Sequence, residues 1–191
     1  MSIDETDEQL FASYVAGRAA AFDRLYARHR GGVYRYLLRH VRDRALADEL
    51  HQDVWMRVIK SRDGFGADAR FATWAYAIAR NRLIDHWRSV RQWQQVSLDD
   101  DSDGANAIVD TLAGPEALEP YALSVRAESH DMLHEALARL PAAQRDAFLL
   151  HVEGGLSIAD IARVAGTPDE TVKSRLRYAY ARLRQSLEAA R

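Results

Sequence analysis

Residues 156–184 read LSIADIARVAGTPDETVKSRLRYAYARLR, and the punctuation of this stretch decides the fold. Ser157 stands where a helix N-cap belongs, with Asp160 three positions on as a weaker capping box. Ile158, Ile161 and Ala162 then supply one apolar stripe for a helix of about two turns. Ala165-Gly166 make a tight turn. Thr167 is a second N-cap, Pro168 suits a first helical position and Glu170 completes a second capping box. Beyond it Val172, Leu176, Ala179 and Leu183 recur at steps of three and four, the buried stripe of a longer helix. A short capped helix, a Gly-containing turn and a longer capped helix form a helix-turn-helix. Lys173, Ser174, Arg175, Arg177 and Tyr178 fall largely off the stripe. Arg and Lys can reach guanine edges or phosphates, Ser can bond either, and an aromatic ring can pack on a thymine methyl.

Working outward, Pro141 opens a preceding helix through Ala147, Phe148, Leu149 and Val152, which Gly154-Gly155 end. Upstream of a central interruption the period is again helical. Phe22, Leu25, Tyr26, Val33, Leu37 and Val41 recur from Ala21, then Leu46, Leu50, Val54, Trp55 and Ile59 between Ala45 and Ile59. The glycines of Asp63–Asp68 mark a loop, and Phe71–Arg91 resumes a long helix in which Trp74 and Ile78 read as core and Trp87 as either core or a ring that stacks on DNA. Nothing alternates with period two. The expected fold is all-α: two small helical domains joined by a flexible acidic linker, the second a helix-turn-helix.

The whole-chain numbers look ordinary for 191 residues: 26 Lys+Arg against 28 Asp+Glu, a net charge of −2. By segment they do not. Residues 1–20 form an acidic tail of −3, residues 21–93 carry +7, residues 94–135 carry −9 and residues 136–191 carry +3. Two basic blocks are therefore separated by an acidic one. Within that acidic block the stretch 96–120 contains Asp99-Asp100-Asp101, Asp103, Gly104, Gly114, Pro115 and Pro120, and no helical period survives there. We read it as a solvated linker, since its aspartates lack the glycine and terminal glutamate of a calcium loop.

Several classes are excluded or disfavoured. The absence of Cys removes disulfides, cysteine nucleophiles and cysteine-ligated metals. No apolar stretch approaches the roughly 20 residues of a membrane span, and the acidic N-terminus is unlike a signal peptide. We expect a soluble cytoplasmic protein with no membrane insertion. His130-Asp131-Met132-Leu133-His134 is the nearest thing to an enzyme motif. The usual acid there is Glu and no third ligand is apparent, so we expect no metal, no cofactor and no enzymatic activity.

The quoted run resembles region four of bacterial RNA polymerase sigma factors, of the extracytoplasmic-function (ECF) subgroup of the sigma-70 family. The family usually has Gly where this chain has Glu170. The resemblance continues upstream in the family's order. AAFDRLYARHRGGVYRYLLR (20–39) is similar to the start of region two. ADELHQDVWMRVIK (47–60) is similar to the polymerase-binding segment, which usually has Glu at the position of Asp53. FATWAYAIARNRLIDHWR (71–88) is similar to the promoter-melting helix. The implied organisation is region two at 8–93, the acidic linker at 94–127 and region four at 128–191.

The resemblance also implies partners and sites. Asp48, Gln52, Asp53, Trp55 and Met56 would meet core RNA polymerase at its β′ clamp helices, with a further contact at the β flap. Asn81, Asp85 and Arg88 share one helix face at i, i+4 and i+7. With Phe65, Arg70 and Arg80 they would take melted minus-ten DNA. Thr171, Lys173, Ser174, Arg175, Arg177 and Tyr178 would read duplex DNA at minus thirty-five. An anti-sigma protein is a further implied partner. Opening about ten base-pair steps costs on the order of 14 kcal/mol, whereas each captured base returns ~1–3 kcal/mol, so the chain must work with a larger machine. The 34 residues at 94–127 reach about 110 Å extended at ~3.3 Å each, against about 55 Å for a spacer of some 16 base pairs at ~3.4 Å each. The alternative is a helix-turn-helix regulator that acts without joining polymerase.

Overall fold

A computed structural model describes residues 5–66, 69–96 and 125–189. Eight α-helices and no strand occur among them. The first unit comprises α1 (Asp7–Val15), α2 (Ala19–Val41), α3 (Arg44–Lys60) and α4 (Phe71–Val96), with a 3-10 turn at Arg62–Gly64. The second comprises α5 (Val125–Ala138), α6 (Ala142–Val152), α7 (Ile158–Ala165) and α8 (Asp169–Ala189). The linker aspartates, and the side chains of His130 and Asp131, lie outside the described residues. The two ends of the expected linker are helical, because α4 runs on through Val96 and α5 begins at Val125.

In the first unit the apolar stripes meet as the periodicity predicts. Leu25, Val33 and Leu37 of α2, Leu50, Val54 and Val58 of α3, and Phe71, Ala79 and Leu83 of α4 are all fully buried. Each large aliphatic side chain so buried contributes about 1.5–3 kcal/mol. Trp87 is buried, while Trp74 and Ile78 pack against the core from its edge. Arg42 ends α2 in the left-handed region (φ 58°), and Asp43 then caps α3 by accepting from the Leu46 N–H at 3.0 Å. This abrupt reversal folds α3 back along α2.

Helix α1 lies within the acidic N-terminal residues, where the sequence suggests only a charged tail. Its signal is a capping box: the Thr6 hydroxyl accepts from Gln9 N at 3.2 Å, and Gln9 Oε1 accepts from Thr6 N at 2.9 Å. Leu10 and Phe11 anchor it, with 0% and 1% exposure.

The second unit bears out the helix-turn-helix. Ser157 caps α7 by accepting from Asp160 N at 3.2 Å, and Gly166 ends it at φ 64°, where a side chain would be strained. Val172, Leu176, Ala179 and Leu183 are the buried stripe of α8. Three details differ from expectation. Thr167 Oγ1 has no hydrogen-bond partner, so the second capping box does not form; α8 begins at Asp169 and the Glu170 carboxylate turns to Lys173 instead. Pro141 is the N-cap of α6 rather than its first residue. Val152 is 49% exposed, because α6 ends there before the stripe turns inward again.

Candidate nucleic-acid and polymerase interfaces

Along α3, Asp48, Gln52 and Met56 are exposed at successive i+4 steps, forming one outward row of an acid, an amide and a thioether. Burial, followed by the charge of Asp48, raises the Tyr34 pKa. Asp53 is partly covered and accepts from Arg82 Nε at 2.8 Å, tying α3 to α4. Trp55 is turned inward at 5% exposure; its Nε1–H donates to His51 Nε2 at 2.9 Å and its ring meets Tyr26 edge-on at 4.8 Å. It supports the row from beneath rather than belonging to it.

The proposed minus-ten residues divide by helix face. Asn81, Asp85 and Arg88 are exposed together on α4, and Asp85 is paired with Arg57 at 3.1 Å. Arg80 points elsewhere. Its Nε donates to Asp146 of the second unit at 2.8 Å and its Nη1 to the Val164 carbonyl at 3.4 Å. Arg70, at the start of α4, reaches Asp160 at 3.1 Å. Phe65 packs into an aromatic cluster, 4.7 Å from Phe11 and 5.2 Å from Trp74 between ring centroids. Phe65 is thereby fastened to α1 and α4.

On α8, Lys173, Arg177 and Tyr178 are exposed, while Thr171, Ser174 and Arg175 are half-buried. Arg177 lies over the Tyr178 ring at 5.0 Å and donates to its hydroxyl at 3.3 Å. Lys173 is held by Glu170 one turn back. The result is a helix with one apolar side in the core and one cationic, hydrogen-bonding side outside, as groove reading requires.

A second set of polar residues is not evident from the sequence. Tyr36 donates to Asp146 Oδ1 at 2.8 Å; Arg35 and Arg39 both bind the Glu153 carboxylate, Arg35 Nε at 2.7 Å. Tyr76 donates to the Glu153 carbonyl at 2.7 Å. Gly32 makes this approach possible, since a Cβ there would sit 2.6 Å from Tyr76 Oη and 2.8 Å from the Glu153 carbonyl oxygen. Burial, then the Asp146 charge, pushes the Tyr36 hydroxyl well above its usual pKa. Burial would also raise Asp160, but the Ser157 hydroxyl and N–H and the Arg70 charge outweigh it and hold that carboxyl below its usual value. The one available signal is the i, i+4 pair Arg35 and Arg39, which any solvated helix face can show.

Comparison with known proteins matches this arrangement. The family model described as Sigma-70 region 2 matches residues 25–94, and the one described as Sigma-70, region 4 matches residues 130–183. The ECF RNA polymerase sigma factor SigM of Mycobacterium tuberculosis is 32% identical over 184 residues, covering 96% of this chain and 86% of SigM. The chain belongs to the ECF group of the sigma-70 family. The ECF sigma factor SigL of the same species is 33% identical over 174 residues, 91% of this chain and 92% of SigL. Two solved structures share the fold. The sigma factor RpoE of Bartonella quintana, in complex with the anti-sigma factor NepR, has a TM-score of 0.66 at 23% identity, covering 89% of this chain and 98% of that one. CnrH, in complex with the cytosolic domain of CnrY, has a TM-score of 0.67 at 21% identity, covering 97% and 99%. As an ECF sigma factor the chain is a transcription initiation factor that joins core RNA polymerase and directs it to promoters. The family is not an enzyme class, and a regulator independent of polymerase is not favoured. No helix among the described residues is long and apolar enough to cross a membrane.

Proposed function

We propose the following division of labour. Residues 8–93 bind core polymerase and open the minus-ten element, residues 94–127 tether, and residues 128–191 read the minus-thirty-five element as duplex. Asp48, Gln52, Asp53 and Met56 of α3 dock on the β′ clamp helices, with the second unit at the β flap. Asn81 pairs with an unstacked base edge, and Arg88, Arg70 and Arg80 hold the backbone of the melted strand. Thr171, Lys173, Ser174, Arg175, Arg177 and Tyr178 face the major groove. The partners are core polymerase, promoter DNA and an anti-sigma protein, and the site of action is the cytoplasm. The solved complexes of two chains of this fold with NepR and CnrY lend support to the third partner.

The observation that carries this reading is that one chain exposes two separate polar helix faces, Asn81–Asp85–Arg88 on α4 and Lys173–Arg177–Tyr178 on α8. The test is reconstitution with core polymerase and run-off transcription from a cognate promoter. Arg175→Ala should cost about 1–3 kcal/mol of discrimination at one minus-thirty-five position. An unchanged transcript yield across promoter variants would remove Arg175 from the set. Failure to form a stoichiometric complex, with unassisted binding to a duplex palindrome, would overturn the whole assignment.

A further inference from the structure

Helix α1 is fastened on two sides. Toward α2 its acids are paired: Glu5, just ahead of the helix, meets Arg24, while Asp7 accepts from Arg28 at 3.0 Å and lies 2.6 Å from His29 Nε2. Toward the minus-ten residues it presents Glu8, Phe11 and Tyr14, at steps of three. Arg62 of the 3-10 turn lies over the Tyr14 ring at 5.9 Å. Phe11, only 1% exposed, has Phe65, Phe71 and Trp74 around it, with ring centroids 4.7, 5.3 and 5.3 Å away. Glu8 Oε1 accepts from the Phe71 N–H at 3.2 Å. That N–H is one of those at the start of α4 that no helical carbonyl can satisfy, and the first turn of α4 carries no acid of its own. Glu8, 63 residues away on α1, therefore supplies both the missing acceptor and the negative charge that the helix dipole favours there. Arg70 stands directly before Phe71, and its carbonyl accepts from Trp74 N at 3.1 Å in the first turn of α4. Two residues assigned to minus-ten DNA, Phe65 and Arg70, are thus held by one pair of α1 side chains.

We propose that Glu8 and Phe11 are positioning residues that determine base specificity at the minus-ten element. Neither touches DNA: Phe11 is enclosed by rings, and Glu8 carries a charge that a phosphate repels. They fix Phe65 and the first turn of α4, and with them the space in which an unstacked base meets Asn81. Hydrogen bonds to a base edge tolerate about half an ångström, whereas the attraction of an arginine for a phosphate falls only as the inverse of distance. A small shift of Phe65 or Arg70 therefore alters which base is preferred before it alters whether the strand is held. The proposal rests on the minus-ten reading of Phe65, Arg70 and Asn81, and adds to it two residues of a helix that lies off the DNA.

The test uses holoenzyme made from the full chain and core polymerase, with run-off transcription from a cognate promoter and from derivatives carrying each other base at each minus-ten position. Phe11→Leu keeps an apolar side chain and removes the ring. Glu8→Ala removes the cap, and Glu8→Gln keeps an oxygen that can accept from the Phe71 N–H. Phe11→Leu and Glu8→Ala should each lower the ratio of cognate to altered-base transcript about fivefold at one minus-ten position, the lower end of what one captured base returns. Ratios at minus-thirty-five positions and the affinity for core polymerase should not change. Glu8→Gln should keep most of the minus-ten ratio that Glu8→Ala loses. A loss of transcript equal for every minus-ten base would show that α1 only stabilises the first unit, and would overturn the proposal. Phe65→Ala in the same assay separates the proposal from the reading beneath it. If Phe65→Ala lowers the ratio and neither α1 variant does, the proposal falls and the minus-ten reading stands. If Phe65→Ala leaves every ratio unchanged, Phe65 is removed from the minus-ten set and the proposal falls with it. Should Phe11→Leu lose helicity by circular dichroism, the two Glu8 variants decide.

Discussion

His40 sits wholly inside the seam between the two units, its Nδ1–H donated to the Tyr36 carbonyl at 2.8 Å and its bare Nε2 3.7 Å from Asp146 Oδ1. Burial is the largest influence on it and lowers its pKa from 6.5 to about 4; Asp146 and the Tyr36 bond pull the other way, and Arg145 and Arg80 add to the lowering. The folded ring is therefore neutral where the unfolded ring takes up a proton. Between pH 6.5 and 4 the unfolded state binds more protons, so stability falls as pH falls through that window. The full span is worth about 3 kcal/mol. Urea unfolding at pH 7 and pH 5 should show the decline, and His40→Gln should flatten the slope between them. An equal slope in the variant would assign the decline to other groups.

At the scale of helices, the two caps of the helix-turn-helix have different weights. Ser157 accepts from the Asp160 N–H and donates to its carboxylate at 2.6 Å, so Ser157→Ala should cost about 1 kcal/mol or more. Thr167 makes no such bond, and Thr167→Ala should stay within about 0.5 kcal/mol. Thermal unfolding of the two variants side by side checks the contrast; equal destabilisation would mean that the Thr167 hydroxyl does cap α8. Both positions look alike in the sequence, since each is a hydroxyl followed three residues later by an acid. Which hydroxyl caps its helix depends on where that acid's other partners lie. Glu170 is exposed and finds Lys173, whereas Asp160 is buried beneath Arg70. For the same reason α1 is legible only through Thr6 and Gln9, because its few apolar residues make too short a period to stand out from an acidic run.

Across the molecule, the close approach at Gly32 couples the two units. A methyl group there would meet the Tyr76 hydroxyl, which can yield, and the Glu153 backbone carbonyl, which can do so only by moving α6 and its successor. Gly32→Ala should therefore enlarge the free chain in solution scattering while leaving its helical content unchanged; an unaltered radius of gyration would show that the approach relaxes locally. The periodicities, the turn glycines and the caps determined by themselves the all-α class, the helix-turn-helix and the two outward polar faces, while the family rests on the resemblance of four runs, 20–39, 47–60, 71–88 and 156–184, to sigma regions two and four. Those features are local: each depends on residues within a few helical turns of one another. The seam was decided by tertiary structure alone. Along the sequence Asp146 and Glu153 are ordinary acids, Asp160 is only a capping acid, Arg35 and Arg39 are ordinary bases and Arg70 and Arg80 are strand-binding residues, until partners some 66 to 118 residues away are brought together and the carboxylates leave water. Pairing of that kind depends on burial and distance, which no spacing along the chain encodes.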